Sequence, residues 1–140
     1  MTPTQSKTNQ FLKQFSQSIN TDLSLKNGVC AIYNHLSQQS AVIEVPDFSD
    51  NIIFHCTLMT LPMEVSANTM KKMLLLNFEV SAMQGCWLAI DEQQQLCLCH
   101  LLPIEKTDQT HFNNTLIGFI DQVKNVRPFI SEWFRAPVTH

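Results

Sequence analysis

Apolar residues recur at helical spacing near the start of the chain. Phe11, Leu12, Phe15 and Ile19 fall on one face of residues 4–20, with Gln, Ser and Lys on the other, which predicts an amphipathic helix. Asn27-Gly28 follows, a pair that tolerates positive φ and marks a turn. The pattern then shortens. Residues 29–34 and 40–45 are short, β-branched runs separated by a polar Leu-Ser-Gln-Gln stretch, as in a hairpin. Residues 51–61 form a longer run that is apolar on both sides. Ile52, Phe54, Cys56 and Leu58 share one parity, while Ile53, Met59 and Leu61 share the other. A strand with two apolar faces either lies centrally in a sheet or carries a binding surface.

Beyond Pro62, Ser66 suits the N-cap of a helix running to about Phe78. Met70, Met73, Leu74 and Asn77 form one stripe of it, and Leu75, Leu76 and Phe78 extend apolar character nearly all round. Such a helix is buried on two sides, and in so short a chain a second subunit is the natural cover for the second. Residues 85–91 and 94–102 read as another hairpin with the tip Asp91-Glu92-Gln93. Asp108 then caps a closing helix whose seam is Phe112, Leu116, Phe119, Val123, Val126, Ile130 and Trp133. Pro128 disfavours helical geometry at Arg127, so a kink or break is expected there. The order is helix, three strands, helix, two strands, helix: an α+β fold with one twisted antiparallel sheet flanked by helices, filling residues 1–140 as one domain.

Composition narrows the function classes. Apolar residues make up 44% of the chain and charged residues only 15%, a low share for a surface that must keep a monomer apart from its neighbours. The net charge of −3 offers no basic field for nucleic acid or anionic lipid, so neither is expected as a partner. No apolar run is long enough to span a membrane, and the first residues lack a signal-peptide layout, which points to the cytosol. Cys30, Cys56, Cys86, Cys97 and Cys99 sit inside apolar runs and read as small buried hydrophobes.

Candidate chemistry is sparse. Cys97-Leu98-Cys99-His100 offers two thiols and an imidazole, but on a strand the cysteines point to one face and the histidine to the other. Thiols in apolar surroundings are inert. The acids fall at turns and helix caps, and with only Gly28, Gly85 and Gly118 no glycine loop can cradle phosphate. No catalytic residue, metal or cofactor is therefore expected. What stands out is apolar area on the first helix, the third strand and the methionine-bearing second helix, more than one core needs.

In order and spacing these segments resemble the class I type III secretion chaperones of the Tir chaperone (CesT) family. The resemblance rests on Leu23-Ser24-Leu25-Lys26-Asn27-Gly28-Val29-Cys30, on Leu74-Leu75-Leu76-Asn77 with Gly85-Cys86-Trp87-Leu88-Ala89-Ile90-Asp91, and on Leu96-Cys97-Leu98, Leu101-Leu102-Pro103-Ile104 and residues 116–119. It implies a non-catalytic cytosolic homodimer of a bacterium. Such a protein holds the N-terminal region of one or more effectors extended and presents it to the secretion apparatus, whose ATPase is a further partner. By family position, Met73, Leu76, Trp87 and Leu88 would form the dimer contact. The effector would lie near Phe11, Phe15, Ile19, Val29, Phe54 and Leu58. Two other readings stay open: an adaptor or regulatory domain of the same fold, and a metal- or thiol-dependent enzyme using Cys97, Cys99 and His100.

Overall fold

The structure is a computed structural model and describes residues 1–135. Five strands, β1 (Val29–Tyr33), β2 (Gln39–Glu44), β3 (Asn51–Thr60), β4 (Trp87–Ile90) and β5 (Gln95–Pro103), form one antiparallel sheet in the order β1-β2-β3-β5-β4. The long two-faced run is thus the central strand. Its alternation is strict: Ile52, Phe54 and Cys56 are fully buried and Leu58 nearly so, while Ile53, His55, Thr57 and Met59 are half-buried on the opposite side.

The turns follow local chemistry. Asn27 and Gly28 both have positive φ, 54° and 78°, and close a two-residue hairpin in which Lys26 and Val29 exchange both main-chain hydrogen bonds. Glycine is required at the second position, because a Cβ there would stand 2.6 Å from the Val45 carbonyl oxygen. The β1–β2 connection is held by the Asn34 side chain, whose Oδ1 accepts from the N–H groups of Leu36 and Gln38.

Helices α1 (Pro3–Ser18) and α4 (Gln109–Ser131) pack on the Phe54 side of the sheet. Thr2 and Gln5 form a capping box around Pro3 at the start of α1, and Asp108 accepts from the His111 N–H to cap α4. Between the layers, Phe11 stacks on Phe112 at 5.2 Å between ring centroids, and Phe54 meets Phe112 at 5.7 Å and Phe119 at 5.8 Å. The seam predicted for the closing helix is buried from Phe112 to Ile130, and Trp133 packs at its rim. The expected break at Arg127 does not occur. α4 continues through Pro128 to Ser131 and then tightens into a 3₁₀ turn, Glu132–Phe134. Pro128 lies in the last turn of α4, and the Arg127 guanidinium beside it anchors that end by donating to the carbonyls of Gln39 and Thr57 at 2.9 and 2.8 Å.

Helix α2 (Ala67–Phe78), capped by Ser66 as predicted, is followed by a short helix α3 (Val80–Met83) that sequence pattern did not foresee. Only Met73 of α2 is buried, with Leu76 and Asn77 half-buried beside it; Leu74, Leu75 and Phe78 are 68%, 67% and 84% exposed.

Candidate partner-binding surface

Among the described residues, one face of the sheet has no helix over it. Register carries a row of side chains across all five strands on this face: Ala31, Val42, His55, Cys99 and Trp87. A second row holds Val29, Glu44, Ile53 and Leu101. These two rows are apolar apart from the pair at their middle, where Glu44 Oε2 lies 3.0 Å from His55 Nε2. The surface exists because β2, β3 and β5 carry apolar residues at both parities, so burying one face on α1 and α4 leaves the other bare.

The sheet edges differ. At β4, the side chain of Asn77 accepts from the Leu88 N–H at 2.7 Å and donates to the Leu88 carbonyl at 3.3 Å, so α2 covers that edge at Leu88. At β1, the main-chain groups of Val29 are taken by Lys26, and Gly28 pairs inward with Val45. Alternation therefore turns the N–H and C=O of Ala31 and Tyr33 outward. Both residues are exposed, and among the described residues these groups have no partner. The open stretch of edge runs directly into the uncovered face.

The residues named for effector contact separate into two groups. Ile19 and Val29 are surface residues, 48% and 37% exposed. Phe11, Phe15, Phe54 and Leu58 are between 0% and 6% exposed and belong to the core of the single chain. Strand parity explains Phe54 and Leu58: the outward residues are their neighbours Ile53, His55 and Met59. Phe11 and Phe15 fill the stripe of α1 that packs against α4 and the sheet. Of the four residues named for a dimer contact, Trp87 is exposed and Leu76 half-buried. Met73 and Leu88 point into the core of the single chain. The most exposed large apolar residues of α2 are Leu74, Leu75 and Phe78, which the pattern of a helix apolar on every side could not single out.

A cleft of about 280 Å³ between β5 and α4 is lined by Cys86, His100 and His111 among others. Cys86 Sγ lies 3.9 Å from His100 Nδ1. Burial pushes the thiol up to about 11 and lowers the imidazole, so near neutral pH the two are an uncharged pair, not thiolate and imidazolium. Cys97 and Cys99 stand on the uncovered face and His100 on the opposite one, as alternation required. Among the described residues, no group of three or more His, Cys, Asp or Glu could hold a metal ion. No described helix is long and apolar enough to cross a membrane.

This architecture, a five-stranded antiparallel sheet helix-covered on one side with a half-exposed helix at its β4 edge, coincides with a family match. The Tir chaperone protein (CesT) family matches residues 10–127, and the chain belongs to that family. Solved structures share the fold at low identity. The ExsC–ExsE complex contains a chain 14% identical with a TM-score of 0.75, covering 90% of this chain and 95% of its own. The HopA1–SchA chaperone–effector complex gives 15% and 0.67, with 87% and 97% covered. The heterodimeric ExoU–SpcU complex from the type III secretion system of Pseudomonas aeruginosa gives 14% and 0.65, with 85% and 93% covered. No curated protein matches the chain by sequence.

Proposed function

We propose that the protein is a type III secretion chaperone of the bacterial cytosol. It binds the N-terminal region of one or more effectors as an extended segment, keeps it secretion-competent and aids its delivery, without catalysis. Membership of a chaperone family supports the class, and fold relatives described as a chaperone–effector complex and as part of a type III secretion system support the partner. The observation that carries the reading is the outward main chain of Ala31 and Tyr33 beside the uncovered face. An extended ligand can add a strand there and lay alternate side chains over Val29, Ala31, Val42 and Ile53, with Ile19 as a further contact. Ordering an unfolded ligand is unfavourable, so a long wrapped surface is needed to offset it.

A homodimer through α2 supplies that length. A helix of twelve residues with one buried side chain gains little from its own subunit, and Leu74, Leu75 and Phe78 are the groups a two-fold partner would cover, with Leu76 and Trp87 at the margin. The test is native mass spectrometry of the tagged chain purified from its own host. Two copies carrying one larger secreted protein, protected from protease only in its N-terminal region, is the expected result. A bare monomer would overturn the reading.

A further inference from the structure

The β2–β3 turn spends stability on a residue that the chain itself does not use. Ser49 N–H donates to the Pro46 carbonyl at 3.1 Å, and Phe48, third in this four-residue turn, sits at φ 65°. That position favours glycine or asparagine, because a Cβ there crowds the backbone. Among the described residues, the other non-glycine positions at positive φ are Asn20, Asn27, Ser37, Gln84 and Gln94, all polar; Phe48 is the exception. Its side chain is 98% exposed, so no burial compensates the strain.

The turn is also held rigidly. Gln5, only 6% exposed, donates through Nε2 to Asp47 Oδ1 at 3.0 Å and to the Val45 carbonyl at 2.9 Å, tying the turn to the capped start of α1. Strain, full exposure and a rigid mount together describe an aromatic anchor preorganised for a partner.

We propose that Phe48 docks the chaperone onto a folded protein other than the effector. A projecting ring needs a pocket formed in advance, which an unfolded effector segment does not have, and the flat sheet face already suits that segment. Asp47 and Asp50 flank Phe48, are exposed and have no cation between them in the sequence. The partner therefore offers an apolar pocket with a basic rim. This inference rests on the chaperone reading, since it names where a loaded chaperone is received.

The experiment uses the full-length chaperone co-expressed with its effector in the host. Phe48→Gly and Phe48→Asn both suit positive φ; each should leave effector co-purification and dimer mass unchanged and hold or raise the Tm. Export of the effector should fall by about tenfold or more. Phe48→Trp should restore export, and a photo-crosslinking residue at position 48 should join a third, folded protein. Unchanged export would overturn the proposal. So would a crosslink to the effector or to a second copy of the chain, or loss of effector binding in the variants. If the unmodified protein carries no effector, it is the chaperone reading that fails.

Discussion

Asn77 and Leu88 are paired as though Asn77 were a residue of a sixth strand: its carboxamide accepts from the Leu88 N–H at 2.7 Å and donates to the Leu88 carbonyl at 3.3 Å. A side chain of α2 thus occupies the outward main-chain groups of Leu88 on β4, whereas among the described residues those of Ala31 and Tyr33 on β1 have no partner. Replacing Asn77 with Leu leaves both Leu88 groups without partners. This should cost about 1–3 kcal/mol in urea unfolding, and variant protein should form larger species on a sizing column as β4 becomes a pairing edge. Unchanged stability would mean that water satisfies Leu88 and the plug is incidental.

The β1 edge should respond in the opposite sense. Proline at an edge position removes an outward N–H that the fold does not use. Ala31→Pro is therefore expected to leave the circular dichroism spectrum and Tm nearly intact while weakening effector binding by about tenfold or more, measured by calorimetry with a synthetic effector segment. Full affinity in a folded variant would remove β1 as the docking edge.

Phe15 and Phe78 form a contrasting pair. Phe15 is 4% exposed, so Phe15→Asp buries a carboxylate in the core and should destabilise the protein by roughly 4 kcal/mol or more, enough to abolish a cooperative melt. Phe78 is 84% exposed in the single chain, so Phe78→Asp should fold normally yet shift the native mass from dimer to monomer. A folded Phe15→Asp protein, or a dimeric Phe78→Asp protein, would each contradict the assignment of that side chain.

The cysteines set an alkaline limit. Burial pushes the thiols of Cys56, Cys86 and Cys99 up to about 11 from an ordinary value of 9.0, against the pull of Arg127 in the case of Cys56. Below pH 9 the thiols are protonated in both folded and unfolded chains and add no pH dependence. Between about pH 9 and about 11 the unfolded chain loses protons that the folded chain keeps, so stability should fall as pH rises through that window. Urea midpoints at pH 8 and pH 10 test this, and the same thiols should resist alkylation at pH 8 until the protein is unfolded. Rapid alkylation of the folded protein at Cys86 would reopen the thiol-enzyme reading.

Period and capping made most of the architecture readable before the structure. Ser66 and Asp108 cap the helices they were expected to cap, and Asn27-Gly28 closes the turn its composition demands. The site was less legible, because β3 is apolar at both parities and pattern alone cannot say which side the helices cover. Phe54 and Leu58 lie on the covered side, and Ile53 and His55 are the outward residues. In the same way α2 is apolar all round, so nothing in its sequence distinguished buried Met73 from exposed Leu74 and Leu75. The plug by Asn77 depends on a tertiary contact across eleven positions, which no local signal announces.

The hook formed by Lys26 and Val29 has a bearing on how the free protein behaves while it waits for a client. Any unpaired strand border invites copies of the same chain to zip together. By occupying the first outward position of β1, the hook shortens the free border to Ala31 and Tyr33, and the hairpin at Asn34 stops it on the other side. Two rungs fix the alignment of an arriving segment but are too few to hold a fibre together by themselves. The chain can therefore accumulate ahead of its cargo with a vacant docking border and little tendency to polymerise along it.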